Sequence, residues 1–197
     1  MIIMFFIWED SMGYFNPIPD KNFVIDVVVK WVVDVIAVIA IAIFFIIYMC
    51  DTADMIGNSM SPVLSNSDSV LINKLSYEIG EPKRYDIIVY KNEDGDASIK
   101  RIIGLPGEEI KIKDSKIYIR KGKEEIILDD VYTKDKFEPG YVDEYVKIPM
   151  DEYFVMGDNR NLSEDSRFEY VGNIKRDSIL GKAWMISSPF NRINFIK

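Results

Sequence analysis

Two short segments carry the groups in this chain that could react. One is Gly57-Asn58-Ser59-Met60-Ser61-Pro62, and the other is Ile99-Lys100-Arg101-Ile102-Ile103-Gly104-Leu105-Pro106-Gly107. A serine in a tight turn presents its hydroxyl at the surface, and Pro62 stiffens the backbone just after it. The chain has no histidine, so any scheme in which imidazole takes a proton from serine is excluded. If Ser59 is a nucleophile, its proton must go elsewhere. A lysine can accept it only while neutral, and burial lowers a lysine pKa by up to about 3–5 units. Strand alternation places Lys100 and Ile102 on one face and Ile99, Arg101 and Ile103 on the other. Adjacent basic residues on opposite faces imply that one points inward. The plainer alternative is two exposed charges on an edge strand. An inward, neutral lysine is what a Ser–Lys pair needs.

A third segment, Met156-Gly157-Asp158-Asn159-Arg160-Asn161-Leu162-Ser163-Glu164-Asp165-Ser166-Arg167, is dense in side chains that hold turns through backbone hydrogen bonds. Arg160 and Arg167 can each pair with Asp158 or Asp165 through planar charge-assisted bonds. Most of this segment therefore reads as a brace.

These segments need a scaffold, and composition bounds what it is. The chain has 197 residues and is 48% hydrophobic, but the apolar residues are unevenly spread. Trp31 to Cys50 holds one charged residue, Asp34, in 20 positions. Twenty helical residues span about 30 Å, the thickness of a bilayer's hydrocarbon layer. This run reads as the core of an uncleaved transmembrane anchor over residues 23–50, with Asp34 near the headgroups. Residues 1–22 are expected to form a cytoplasmic N-terminal segment. Lys21 and Lys30 precede the span, and the next basic residue after it is Lys74. Excess positive charge stays inside, so the anchor is single-pass and residues 51–197 are extracytoplasmic.

A net charge of −8 argues against a nucleic-acid binder, whose footprint is basic. The single cysteine, Cys50, allows no internal disulfide and reads as a small apolar residue at a helix end. Without histidine and with one cysteine, the chain lacks the usual zinc ligands. No metal and no cofactor are expected.

Beyond Asp51 the chain shows short apolar runs separated by turn signals. Candidate strands are 69–73, 86–90, 98–104, 109–112, 116–120, 125–128, 153–156 and 179–186. Such spacing points to an all-β barrel or sandwich. The charged stretch Asp129–Glu144 looks like an exposed insertion, inside an inserted subdomain of about 108–150.

Taken together, four segments in order behind an anchor resemble the bacterial type I signal peptidases, membrane-bound Ser–Lys proteases that remove signal peptides. They are Ser59-Met60-Ser61-Pro62-Val63-Leu64, Tyr85-Asp86-Ile87-Ile88-Val89-Tyr90, Lys100 to Glu108, and Gly157 to Arg167. The resemblance implies an all-β soluble catalytic domain preceded by a single N-terminal transmembrane α-helix, in the bacterial cell membrane. It implies that Ser59 attacks, that Lys100 is the base, and that Ser163 hydrogen-bonds and orients the lysine amine. Asp165 and Arg167 would form a structural ion pair, Arg101 would brace the same region, and the Ser59 N–H would help form an oxyanion hole. Gly57 and Asn58, beside the nucleophile, would be catalytic support. Gly57 stands where some members place a serine as second oxyanion donor, Tyr85 where the family has glycine, and Val63 where it has threonine.

The implied substrate is a secretory preprotein, extended, with small side chains one and three residues before the cut. Asp86, Ile87, Ile88 and Val89 look like one wall, adding the substrate as a strand, with Met60 and Pro62 lining the site. Trp184-Met185-Ile186 reads as core, with an interfacial role as the alternative. Three rival readings stand beside this one. A self-cleaving repressor of the DNA-damage response shares the chemistry but needs a DNA-binding domain. A peptidase dedicated to a pilin or another surface protein would carry the same residues. A catalytically inactive membrane-bound scaffold would not need Ser59, Lys100 and Ser163 together.

Overall fold

The computed structural model describes residues 21–49, 51–129, 132–133 and 136–196. The expectations for residues 1–20 and for Cys50 lie outside these. Two units separate within the first helix, Met1–Phe44 and Phe45–Lys197. Helix α1, Lys21–Met49, contains a stretch at Ile25–Tyr48 that is long and apolar enough to cross a membrane. Its apolar side chains, Trp31 and Ile36 among them, are exposed along its length. The helix starts well before Trp31 because Phe23 and the Val27–Val29 run propagate it through Asp26 and Lys30.

The second unit is built from antiparallel strands. They are β1 (Asp51–Asp54), β2 (Ser69–Asn73), β3 (Ile87–Lys91), β4 (Ala97–Gly104), β5 (Glu109–Lys113), β6 (Lys116–Lys121), β7 (Glu124–Leu128), β8 (Val146–Lys147), β9 (Glu152–Met156), β10 (Ile174–Lys175), β11 (Ile179–Ser188) and β12 (Asn194–Phe195). A short helix, α2 (Leu75–Glu78), follows β2. The larger sheet runs β1-β2-β11-β3-β4-β9-β10, with β12 added to β11. A four-stranded sheet, β7-β6-β5-β8, is drawn from residues 109–147.

Burial explains the central strands. Ile87 and Val89 of β3 enter one apolar cluster with Val70, Ile72 and Ile99, while Ile88 and Tyr90 enter another with Ile102 and Val155. A strand covered on both faces reads as a continuous apolar run, as IIVY does. The small sheet buries Ile110, Ile112, Ile117 and Ile119 on one face, against Phe154 and Met156 of β9. The barrel-like core thus has β3 and β4 at its centre, and β4 carries Lys100.

Two consequences for the site follow. First, β3 is an interior strand: Ile88, Val89 and Tyr90 pair with β11 on one side, and Ile87 to Lys91 pair with β4 on the other. Within the wall expected at Asp86–Val89, Ile88 and Val89 therefore have a partner strand on both sides. Second, β9 pairs with β4 only from Arg101 onward. On that side Ala97 to Lys100 remain an open edge among the described strands.

Candidate active site

Ser59 lies on the loop between β1 and β2. The neck of this loop closes through Met55 N–H to Asp68 O at 2.7 Å and Ser67 N–H to Met55 O at 2.9 Å. Inside it, Ser61 N–H bonds Asn58 O at 3.1 Å and Leu64 N–H bonds Met60 O at 2.9 Å. Met60 and Leu64 are fully buried and pin this turn to the core. Gly57 holds a left-handed backbone, φ 82°, and its N–H bonds Asn66 Oδ1 at 3.0 Å. That conformation suits glycine because no Cβ meets the neighbouring carbonyl. The Gly57 N–H is thus committed, while the Ser59 N–H finds no acceptor among the described residues.

Lys100 reaches the serine from β4, with Nζ 2.9 Å from Ser59 Oγ. Ser59 is 9% exposed and Lys100 8%. Burial pulls the Lys100 pKa below its ordinary value, against Asp165 and Glu164, whose negative charges pull it up. An amine that is buried and lacks a salt-bridge partner among the described ion pairs is favoured in its neutral form. This places a base within proton-transfer distance of a hydroxyl.

Ser163 is 5% exposed, and its Oγ has no hydrogen-bond partner among the described residues. The bond that the resemblance implies from Ser163 to the Lys100 amine is therefore not formed in this structure. Gly157 explains how the two serines approach. A Cβ at Gly157 would stand 2.3 Å from Ser163 Oγ and 2.4 Å from Ser59 O. Only a glycine leaves room for both, and Asn159 N–H then bonds Ser59 O at 3.0 Å.

Beneath the serine and lysine lie two buried guanidinium–carboxylate pairs. Arg167 Nε bonds Asp165 Oδ1 at 2.8 Å, and Asp165 Oδ2 also accepts Gly157 N–H at 3.0 Å. Arg101 bonds Asp158 through Nε and Nη2, both at 2.8 Å, and donates Nη1 to Tyr85 O at 2.8 Å. The Tyr132 ring covers Arg101, its centroid 3.6 Å from Cζ. Of the pairings left open by sequence, Arg167 takes Asp165, whereas Asp158 takes Arg101 and Arg160 Nε bonds Gly157 O. Both basic residues of β4 point inward, Lys100 towards Ser59 and Arg101 to the opposite face.

The residues expected to line the substrate site fare differently. Pro62 is exposed, but Met60, Ile87, Ile88 and Val89 are core. Asp86 is a tie: its carboxylate accepts Tyr77 O–H and Lys83 N–H, both at 3.0 Å, and pairs with Lys182 at 2.5 Å. Tyr85, in the family's glycine position, has φ 71°. That left-handed backbone costs a tyrosine about 1–2 kcal/mol. Sequence reasoning missed Tyr132 and gave Gly157, Asn159 and Glu164 no role of their own within their segment. Only Gly157 left a signal, a glycine opening a turn at a strand end. Among the described residues no three acidic, histidine or cysteine side chains converge as a metal site.

A family model described as signal peptidase, peptidase S26, matches residues 28–188. A Synechocystis protein described as probable signal peptidase I-2 is 38% identical over 71% of this chain and 64% of its own length. Signal peptidase I P of Bacillus subtilis subsp. natto is 29% identical over 86% of this chain and 94% of that protein. Signal peptidase I of Bacillus amyloliquefaciens is 32% identical over 86% and 93%. A solved signal peptidase I from Enterococcus faecalis is 31% identical, with a TM-score of 0.42, over 53% of this chain and 97% of that one.

Proposed function

The chain belongs to the signal peptidase family, peptidase S26, and we propose that it is a membrane-anchored endopeptidase that cleaves signal peptides with a Ser59–Lys100 dyad. The observation that carries this reading is a buried lysine amine 2.9 Å from a serine hydroxyl in a chain without histidine.

Ser59 Oγ attacks the scissile carbonyl carbon while Lys100 Nζ takes the hydroxyl proton. The negative charge that develops on the carbonyl oxygen is held by the Ser59 N–H, whose donor is uncommitted. One such donor is typically worth about 10²–10³ in rate. The tetrahedral adduct collapses, the C–N bond breaks, and Lys100 returns the proton to the leaving amine. Lys100 then takes a proton from water, the hydroxide attacks the acyl ester, the C–Oγ bond breaks to release the acid, and Lys100 returns its proton to Ser59 Oγ. Ser163, Asp165, Arg167 and Arg101 support this dyad by position, and Gly57 and Asn58 shape its turn.

The extended substrate adds to the open edge of β4 at Ala97–Lys100, beside Ser59, instead of to β3. The substrate in this reading carries small side chains one and three residues before the cut. Residues 23–50 anchor the enzyme, with residues 1–22 cytoplasmic and 51–197 outside, including a subdomain inserted at about 108–150. Tethering both enzyme and preprotein to one bilayer raises their effective concentration.

The test incubates the detergent-solubilised full chain with a precursor bearing a small-X-small site, beside Ser59→Ala and Lys100→Ala. The new N-terminus is read by mass spectrometry. Cleavage after the small residue by the wild type alone is expected. Activity in either variant would sink the dyad.

A further inference from the structure

We propose that Arg192 is a positioning residue for the nucleophile loop: from the C-terminal segment it clamps Asp68 at the loop's neck and thereby fixes where Ser59 stands. The inference rests on Ser59 being the nucleophile. Arg192 lies in a helical turn, Phe190–Arg192, after β11, and beyond the residues that the family model matches. The segment is held in place by β12, which folds back on β11 in the register Met185 to Phe195, and by Phe195 packed on Trp184.

From there the guanidinium engages Asp68 twice over. Arg192 Nε donates to Oδ1 at 2.9 Å and Nη2 donates to Oδ2 at 3.0 Å. Asp68 is 1% exposed, and its Oδ2 also accepts Ser65 N–H from inside the loop at 2.8 Å. Its backbone closes the neck on both sides, accepting Met55 N–H and donating to Ser65 O at 3.1 Å. One carboxylate therefore ties together the neck, the turn behind Ser59 and a cation from 124 residues along the chain.

Without the guanidinium, a carboxylate almost excluded from water keeps one N–H donor. Leaving a buried charge so poorly paired is costly, and the available relaxation is to open the neck so that water reaches Asp68. The other end of the loop is held at Ser59 O by Asn159 N–H. Opening one end while the other stays fixed tilts the turn and lengthens the 2.9 Å approach of Ser59 to Lys100. Among the described residues Arg192 bonds Asp68, and Lys100 bonds Ser59, with no bond between Arg192 and the open edge of β4, so substrate affinity should be little affected.

The experiment uses the full chain in detergent with a fluorogenic precursor, comparing Arg192→Ala, Arg192→Lys, Asp68→Asn with Arg192→Ala, and Ser59→Ala. We expect Arg192→Ala to lower kcat by about 10–100-fold, with KM within about twofold. The rising limb of kcat/KM with pH should move to higher pH as the turn that covers Lys100 tilts away and its amine becomes less buried, while its charged neighbours, Asp165 and Glu164, are unchanged. Arg192→Lys should recover part of kcat, and the double variant should be no worse than Arg192→Ala, since both remove one interaction. A wild-type kcat and pH profile in Arg192→Ala would overturn the proposal, as would an activity loss that merely tracks the unfolded fraction by circular dichroism. Retained cleavage by Ser59→Ala would overturn the nucleophile assignment and the proposal with it. An inactive Ser59→Ala beside an unaltered Arg192→Ala would overturn the proposal alone.

Discussion

Adding a single methyl group at Gly157 should disable the site without touching a reactive atom. The new Cβ would lie 2.3 Å from Ser163 Oγ, 2.5 Å from Ser163 Cβ and 2.4 Å from Ser59 O. Ordinary carbon–oxygen contacts are about 3.3–3.6 Å, so Ser59 and Ser163 must together yield roughly 1 Å on each side. Gly157 is not among the residues with positive φ, so alanine meets no backbone strain and the effect is steric. Ser59 Oγ now stands 2.9 Å from Lys100 Nζ. A shift of about 1 Å carries it past hydrogen-bond range and can cost about 10²-fold in rate, or about 2.7 kcal/mol of barrier. Overpacking should also cost about 1–3 kcal/mol of stability. The assay is precursor cleavage at saturating and limiting substrate, with thermal unfolding followed in parallel. A folded Gly157→Ala variant within about threefold of wild-type kcat/KM would refute the geometry.

Four further outcomes follow from the same site. The kcat/KM profile should rise with pH as Lys100 loses its proton, with a midpoint below lysine's ordinary value of about 10.4, because burial depresses it; a midpoint at or above that value would remove the neutral lysine. Stability carries the same sign: the unfolded lysine holds its proton between the depressed folded pKa and the ordinary one, so stability rises with pH through that window. Lys100→Met should therefore raise the thermal midpoint at neutral pH, by a margin that shrinks as pH rises. Glu164→Gln removes a charge that lifts the Lys100 pKa, so the activity profile should move to lower pH; no movement would exclude Glu164 as a tuning charge. Gly57→Ala meets no atom within 4 Å of its Cβ but must adopt φ 82°. It should lose about 1–2 kcal/mol of stability through strain, read from urea unfolding.

The strands of the second unit were largely legible because their apolar runs are short and bounded. Expected strands at 69–73, 109–112, 116–120, 125–128 and 153–156 match observed ones within a residue. β1, Asp-Thr-Ala-Asp, was not, since its sequence is polar and its extended form comes from pairing with β2, Asp51 to Ile72 and Asp54 to Ser69. The two-residue strands β8, β10 and β12 and the helix α2 are too short to leave a periodicity. The place of β3 in the sheet was not legible for a different reason. An apolar run such as IIVY is equally consistent with an edge strand against a ligand and a central strand, and only the strand order β11-β3-β4 decides between them.

By itself the sequence narrowed the chemistry: with no histidine in the chain, no imidazole can take a proton from a serine. It established an apolar helix ahead of an antiparallel β unit, because those follow from local hydrophobic pattern. Tertiary structure alone decided which groups meet. Lys100 and Ser59 are 41 residues apart, and their contact depends on the loop neck, the turn pinned by Met60 and Leu64, and the gap left at Gly157. The same holds for the partner of Asp158, which is Arg101, and for Arg192 on Asp68. Residue types fix what a group can donate or accept, but distance and burial set whether it does, and both are properties of packing across the chain.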